Sequence, residues 1–160
     1  MIKLKIITLG KLKEKYLKDA TDEYLKRLSG HAKTEIVELT PVKLPDNPSE
    51  TEIQKALDTE AEMIIKSLSG KEYITALCIE GKQLSSEELS AEMSSVINEG
   101  EGNLVYIIGS SYGLSEKIKN MANKKLSFSK MTFTHQIFRV MLLEQLYRGF
   151  KIREGSKYHK

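Results

Sequence analysis

Apolar residues recur along the chain at two spacings, one typical of strands and one typical of helices. Residues 2–9 alternate apolar side chains with polar ones and then reach Gly10, which predicts a first strand. Residues 13–28 carry apolar side chains at helical spacing, and Gly30 follows as a stop signal. Residues 34–39 predict a second short strand, so the chain is expected to begin with a β-α-β unit.

The middle of the chain contains two sequence signals for the start of a helix. All three prolines lie in residues 41–48, which therefore predict a connection. Ser-x-x-Glu capping boxes at residues 49–52 and 85–88 predict the starts of two helices. These helices are expected to end before Gly70 and Gly100.

The remaining elements predict an α/β fold. Residues 73–79 and 103–108 are apolar almost throughout, as expected for strands of a sheet covered on both faces. Residues 115–123 predict a short helix, 125–128 a short strand and 135–151 a long apolar helix. Alternation of this kind predicts a mostly parallel sheet with helices on both faces.

Composition places these elements in a single domain. The chain has 160 residues, is 40% hydrophobic and 29% charged, and shows no interior linker, so one domain over residues 1–160 is expected. No apolar run approaches the roughly 20 residues of a membrane span, and no secretory signal pattern is present. We therefore expect a cytoplasmic protein without a membrane partner. One cysteine and no metal-ligand spacing predict neither a disulfide nor a metal site.

The net charge of +3 conceals an uneven distribution. Residues 1–33 hold 9 Lys and Arg against 4 Asp and Glu, residues 34–120 hold 7 against 16, and residues 121–160 hold 9 against 2. Basic ends on an acidic body favour a polyanionic partner at one face, although basic residues also simply solvate helix surfaces.

Three loops at the expected carboxyl edge of the sheet could bind a ligand. Residues 109–114 contain two glycines between a buried strand and a capped helix. They match neither the dinucleotide fingerprint nor a P-loop, and a turn that needs glycine for its dihedral angles explains them equally. The second loop is Glu80-Gly81-Lys82, which follows the predicted strand 73–79. Leu77 and Cys78 lie near the end of that strand, where Cys78 is expected in the core.

The third loop, residues 126–135, is too apolar for an exposed loop and too broken for a regular element. Buried irregular backbone would leave N–H and C=O groups that the edge of a purine could satisfy. His135 at its end has a simpler interpretation, a first-turn histidine bonded to a backbone group.

The last helix and the segment after it point to partners. The helix is apolar nearly all round, which suggests that a second copy of the chain covers one side. Glu144 and Arg148 are four residues apart and are expected to pair. The tail, residues 152–160, either frays or uses Tyr158, His159 and its cations to stack on a base and hold phosphates.

The ordered motifs resemble those of the RlmH family of SPOUT-class ribosomal RNA large subunit methyltransferases, over essentially the whole chain. The matching segments are Gly10–Lys13, Tyr24–Leu28, Ile79–Lys82, Ile107–Gly109, Gly113–Leu114, Leu126–Phe133, Arg139–Val140, Glu144–Arg148 and Tyr158–Lys160.

This resemblance implies a fold, an activity and partners. It implies a SPOUT-type C-terminal trefoil knot, with a knot and cofactor region at about residues 73–151, in a homodimer. It implies methyl transfer from S-adenosyl-L-methionine to N3 of a pseudouridine in helix 69 of 23S rRNA within the assembled 70S ribosome. A methyl on a sulfonium has a good neutral leaving group, so alignment of donor and acceptor is the main requirement and no metal is expected.

The resemblance and the residue chemistry together assign roles. The expected cofactor contacts are Leu77, Gly109, Phe128, Ser129, Lys130, Met131, Thr132 and Phe133. Tyr158 and His159 are the expected catalytic residues, orienting the base or assisting loss of its proton. The expected RNA contacts are Arg139, Arg148, Arg153 and Lys160.

Two departures and two alternatives accompany these expectations. Ser110 follows Gly109 where the family often has a second glycine, and Thr134 precedes His135 where many members have proline. A non-enzymatic ribosome- or RNA-binding α/β module would explain the basic ends without the ligand loops. A SPOUT methyltransferase acting on a different RNA base would explain both.

Overall fold

The computed structural model describes residues 1–160. They form five strands and five helices, and each strand is followed by one helix. The strands are β1 (Lys3–Leu9), β2 (Lys33–Leu39), β3 (Tyr73–Gln83), β4 (Asn103–Ile108) and β5 (Lys124–Ser127). The helices are α1 (Lys15–Leu28), α2 (Glu50–Lys66), α3 (Ser86–Asn98), α4 (Glu116–Met121) and α5 (His135–Arg153). Every predicted element is present, so the predicted α/β order is confirmed.

The five strands form one parallel sheet in the order β2-β1-β4-β3-β5. Alternate residues of the buried strands face two separate apolar clusters, as the side-chain period of a strand requires. Leu4 and Ile6 of β1 join the cluster beneath α1, α3 and α5, whereas Ile7 and Leu9 join the cluster beneath α2 and α4. Helices therefore cover both faces, as predicted.

Local hydrogen bonds explain where the two capped helices begin. The Ser49 hydroxyl accepts from the Glu52 N–H at 3.1 Å, and the Glu52 carboxylate accepts from the Ser49 N–H at 3.1 Å. Ser85 and Glu88 repeat this arrangement at 3.1 and 2.7 Å. Both boxes were visible in the sequence because the contacts are made within four consecutive residues.

Strand β3 is longer than the sequence predicts, because it continues to Gln83, beyond its predicted end at Ile79. Leu126 of β5 is in register with Leu77 and again with Lys82, so β3 bends around β5 and pairs with it twice. At Gly81 an added Cβ would lie 2.6 Å from the Leu126 backbone. This close wrapping lies in the region where the resemblance implies a knot, and the knot itself stays a prediction.

Helix α5 packs against α1 and α3 and buries one side of its surface. Leu142, Leu143, Leu146 and Phe150 are buried, whereas Ile137 is 44% exposed. Its apolar residues therefore serve this chain's own core on one side and remain partly open on the other. No helix combines the length and apolar character needed to cross a membrane.

Candidate functional site

A cavity of about 770 Å³ opens at the carboxyl ends of β3, β4 and β5. The three loops singled out from the sequence come together in its wall. Of the expected cofactor contacts, the residues that line it are Leu77, Gly109, Phe128, Ser129, Met131, Thr132 and Phe133. Lys130 is exposed and does not line the cavity. Segments far apart in sequence thus form one concave surface, as ligand sites in open parallel sheets do.

The loop after β4 folds back on itself at its two glycines. An added Cβ at Gly109 would collide with the Gly113 carbonyl, and Gly113 itself has a φ of +85°. The Gly113 N–H donates to the Ser110 carbonyl at 2.8 Å. The glycines therefore satisfy the geometry of a tight turn and also bring backbone close to the cavity.

The run after β5 is more exposed than its sequence predicts. Residues 130–134 are exposed, and Met131 is 73% exposed, because this segment forms the open rim of the cavity and is not packed inside the domain. The Met131 N–H donates to the Ser129 hydroxyl at 3.0 Å, which fixes a bend in the rim. Thr132 lines the cavity, and its backbone N–H makes no hydrogen bond within the protein.

The expectation that Cys78 lies in the core is wrong. Cys78 is only half-buried and lines the cavity, because β3 leaves the plane of the sheet at this point to wrap around β5. Burial and the neighbouring Glu80 carboxylate raise the pKa of its thiol. Thiol nucleophiles act as thiolates, so this environment does not activate Cys78.

His135 also lines the cavity, and its environment differs from the expected one. Its Nδ1 is buried without a hydrogen-bond partner, so no backbone group satisfies it. The ring lies against the backbone at Gly10, where an added Cβ would lie 2.5 Å from the ring Cε1. Burial, with Arg139 and Lys13 nearby, lowers the pKa of His135 and favours the neutral ring.

Arg139 lies inside the protein and does not reach the surface expected for an RNA contact. It is 2% exposed, and its guanidinium donates to Glu38 at 2.8 Å, to the Gly10 carbonyl at 3.1 Å and to the Thr8 hydroxyl at 3.5 Å. The sequence could not show this, because Glu38 is 101 residues away. In this chain Arg139 joins the ends of β1 and β2 to the first turns of α5.

The tail packs against α5, where Glu144 accepts hydrogen bonds from both Arg148 and Tyr158. Arg148 donates to Glu144 Oε1 from Nε at 3.0 Å and from Nη2 at 2.6 Å, which confirms the predicted pair and raises the pKa of Arg148. The Tyr158 hydroxyl donates to the same oxygen at 3.2 Å. The Tyr158 ring packs edge-on against Tyr147, with centroids 5.0 Å apart, so the tail has a defined place.

His159 bridges two charged side chains. Its Nε2 lies 2.6 Å from Glu87 Oε1, and its Nδ1 lies 3.1 Å from Arg148 Nη1. The tautomer with its proton on Nε2 satisfies both contacts, donating to the carboxylate and accepting from the guanidinium. The two contacts therefore hold the ring in one orientation.

Neither Tyr158 nor His159 lines the cavity of its own chain. A second groove of about 520 Å³ adjoins the cavity through Leu126, Ser127 and Phe128, and Glu144 lies in its wall. Among the other predicted RNA contacts, Arg153 donates to Asn98 at 3.4 Å and Lys160 is exposed. The structure thus brings all of the expected cofactor contacts except Lys130 into one cavity and leaves Tyr158 and His159 outside it.

Several cavity residues were not identified from the sequence. Lys119 on α4 pairs with Glu80, and Gln136 accepts from the Lys13 N–H at 3.0 Å while lining the same cavity. Lys119 lies within a predicted helix and Gln136 directly follows the third loop, but neither residue belongs to a motif that marks it as part of a site. No group of three or more His, Cys, Asp or Glu side chains is arranged to hold a metal ion.

The chain is similar over nearly its whole length to known methyltransferases and to a family model for them. The family model described as "Predicted SPOUT methyltransferase" matches residues 2–159. A protein of Methanococcus vannielii is 52% identical over 155 residues, covering 97% of this chain and 98% of that protein. The ribosomal RNA large subunit methyltransferase H of Streptococcus thermophilus is 48% identical over 159 residues, 99% of this chain and 100% of its own.

Solved structures share the fold at much lower identity. A Haemophilus influenzae protein superposes with a TM-score of 0.58 at 12% identity, covering 98% of this chain and 70% of its own. The TrmH/SpoU tRNA modifying enzyme of A. aeolicus superposes with a TM-score of 0.52 at 11% identity, covering 96% of this chain and 77% of its own. At such identities the likeness concerns the fold alone.

Proposed function

Because this chain belongs to the family of SPOUT methyltransferases, we propose that it methylates ribosomal RNA of the large subunit with S-adenosyl-L-methionine as methyl donor. The relative from Streptococcus thermophilus, named for that activity, supports the substrate class. The resemblance of the ordered motifs supports the finer assignment, N3 of a pseudouridine in helix 69 of 23S rRNA within the 70S ribosome. The observation that carries the proposal is the meeting of three separate predicted loops in one cavity.

The residues present fit S-adenosyl-L-methionine. Apolar side chains such as Leu77, Leu114 and Phe138 form cavity walls suited to the adenosine, while the bent rim presents backbone groups to the edge of a purine. The Glu80 and Lys119 side chains also line the cavity, but they pair with each other, so they would bind the ammonium and carboxylate of the donor only by exchanging that ion pair. The donor carries no phosphate, which agrees with a glycine turn that is not a P-loop.

The chain's own residues would align the reacting groups. When bound, S-adenosyl-L-methionine supplies an electrophilic methyl group on a sulfonium. The cavity would hold the donor in a fixed position, and alignment of this kind can lower the barrier by several kcal/mol. The acceptor N3 carries a proton, and we assign to His159, whose ring contacts Glu87 and Arg148, the role of accepting that proton or of holding the base. To accept the proton at Nδ1, the ring would have to release its contact with Arg148. Tyr158 has a raised pKa, chiefly through burial, and acts as a hydrogen-bond donor.

A homodimer completes the proposed site. The tail lies outside the cavity of its own chain, and the partly open side of α5, including Ile137, offers an apolar contact for a second copy. In such a dimer the Tyr158 and His159 of one chain can reach the cavity of the other. Arg148, Arg153 and Lys160 remain the proposed RNA contacts, and an enzyme of ribosomal RNA would work in the cytoplasm.

Binding of the donor separates this proposal from a non-enzymatic RNA-binding module. Isothermal calorimetry of the wild-type protein with S-adenosyl-L-methionine is expected to show saturable binding. Gly109→Val places a side chain against the Gly113 carbonyl and is expected to abolish it. Absence of heat from the wild-type protein at millimolar donor would contradict the enzymatic proposal and favour the module.

A further inference from the structure

A buried carboxylate lies behind the cavity without a charged partner. Glu60, on the sheet-facing side of α2, is 4% exposed and forms no ion pair. Glutamate is rarely buried to this degree unless it is paired, because removing its charge from water is costly. A residue kept at such a position is expected to make specific contacts that offset this cost.

The two oxygens of Glu60 join two distant segments. Oε1 accepts from the Ser110 hydroxyl at 3.0 Å, and Oε2 accepts from the Val42 N–H at 2.9 Å. Val42 belongs to the proline-containing connection before α2, whereas Ser110 belongs to the glycine turn that lines the cavity. One side chain therefore anchors the turn to the helix layer behind it.

Ser110 connects Glu60 to the rest of the turn through its side chain and its carbonyl group. Its side chain is held by Glu60, and its carbonyl accepts from the Gly113 N–H at 2.8 Å. Gly109, next to it, leaves no space for a side chain beside the Gly113 backbone. The turn is thus fixed from inside by Gly113 and from behind by Glu60, and a second glycine at position 110 would lack the latter contact.

We propose that Glu60 and Ser110 form a positioning pair that holds the Gly109–Gly113 turn in the conformation that binds the methyl donor. Glu60 does not line the cavity and acts through Ser110. The inference rests on the proposed function, since it concerns affinity for S-adenosyl-L-methionine. A turn ordered before binding lowers the entropy cost of binding, so loss of the pair weakens affinity more than it alters the chemical step.

Ser110→Ala is the test, with Ser95→Ala as its matched control. Ser95 also donates to a glutamate at 3.0 Å, Glu99, but on an exposed surface of α3 away from the cavity. For Ser110→Ala we expect the Kd for S-adenosyl-L-methionine to rise by about 10- to 150-fold at most, the equivalent of one hydrogen bond to a charged group. The kcat at saturating donor is expected to stay close to that of the wild type. Ser95→Ala is expected to change neither quantity.

Two further variants separate positioning from general stability. Ser110→Thr keeps the hydroxyl and is expected to restore most of the affinity, and Glu60→Gln added to Ser110→Ala is expected to weaken binding less than additively. Unchanged donor affinity in Ser110→Ala, with normal binding by the wild type, would overturn the positioning pair alone. Failure of the wild type to bind the donor would overturn the proposed function and the pair with it.

Discussion

Arg139 shows how one side chain organises the floor of the site. It is buried and bonded to Glu38, Thr8 and Gly10, so it ties two strand ends to the helix that follows the cavity rim. Its position also accounts in part for the lowered pKa of His135. A cation expected at an RNA surface therefore acts as a link within the protein.

Loss of Arg139 is expected to destabilise the fold. Arg139→Ala removes a buried side chain together with its hydrogen bonds to Glu38, Thr8 and the Gly10 carbonyl, and we expect the free energy of unfolding to fall by roughly 2–4 kcal/mol. Urea denaturation measures this. Arg153→Ala, at an exposed arginine that contacts only Asn98, is the control and should change stability by less than about 0.5 kcal/mol. Equal stability of the two variants would contradict the assigned role.

The buried ring of His135 predicts a pH dependence of stability. Its folded-state pKa lies below the ordinary value of about 6.5, so between these two values the unfolded chain holds a proton that the folded chain lacks. This contribution is absent at neutral pH, and it lowers the unfolding free energy as the pH falls below about 6.5. His135→Gln removes it. Denaturant unfolding between pH 7 and pH 5 should show a shallower loss in the variant, and parallel curves would contradict the prediction.

At the scale of elements, the wrapping of β3 around β5 depends on the absence of a side chain at Gly81. Gly81→Ala would place Cβ 2.6 Å from the Leu126 backbone, which can move only if β5 moves. We expect a loss of about 2–3 kcal/mol in unfolding free energy, comparable to overpacking in a core. Gly30→Ala, with nothing within 4 Å of the added Cβ, is the control and should be nearly neutral. Similar stability of both variants would contradict the close wrapping.

The features that the sequence predicted are contacts between residues close together in the chain, whereas the features it missed depend on residues far apart in the chain. Both capping boxes, the proline connection and the Glu144–Arg148 pair are local, so spacing along the chain was sufficient to identify them. The second pairing of β3, the exposed rim and the position of Cys78 depend on where β5 passes relative to β3. The partners of Arg139 and Glu60 depend on strand order. Periodicity carries no information about contacts of that kind.

The tail is a separate element with its own expected effect. Deleting residues 158–160 removes Tyr158 and His159 but none of the residues that line the cavity. Methyl transfer is expected to fall by about 100-fold or more, the usual contribution of a positioned proton acceptor, while donor affinity stays unchanged. Single-turnover methylation and calorimetry measure the two quantities. Lys160→Ala tests the charge separately, and unchanged turnover of the truncated protein would exclude a catalytic tail.

Part of the candidate site and much of the positive charge lie in the same segment of the chain. Residues 121–160, with 9 Lys and Arg against 2 Asp and Glu, contain the cavity rim, α5 and the tail. A polyanionic substrate would approach this face, and its affinity is expected to weaken as salt screens the contacts. Charge distribution alone indicated a polyanion, and the name of the Streptococcus thermophilus relative supports RNA as the substrate class we propose.

The most direct measurement is transfer of tritiated methyl from S-adenosyl-L-methionine to intact ribosomes, free ribosomal RNA and tRNA in parallel. We expect incorporation into 23S rRNA of intact 70S ribosomes, at N3 of a pseudouridine in helix 69, and little into the other two substrates. Incorporation into tRNA alone would contradict the proposed substrate and favour a methyltransferase of another RNA base. No incorporation into any of the three, with an enzyme that binds the donor, would contradict the proposal that the enzyme methylates ribosomal RNA of the large subunit.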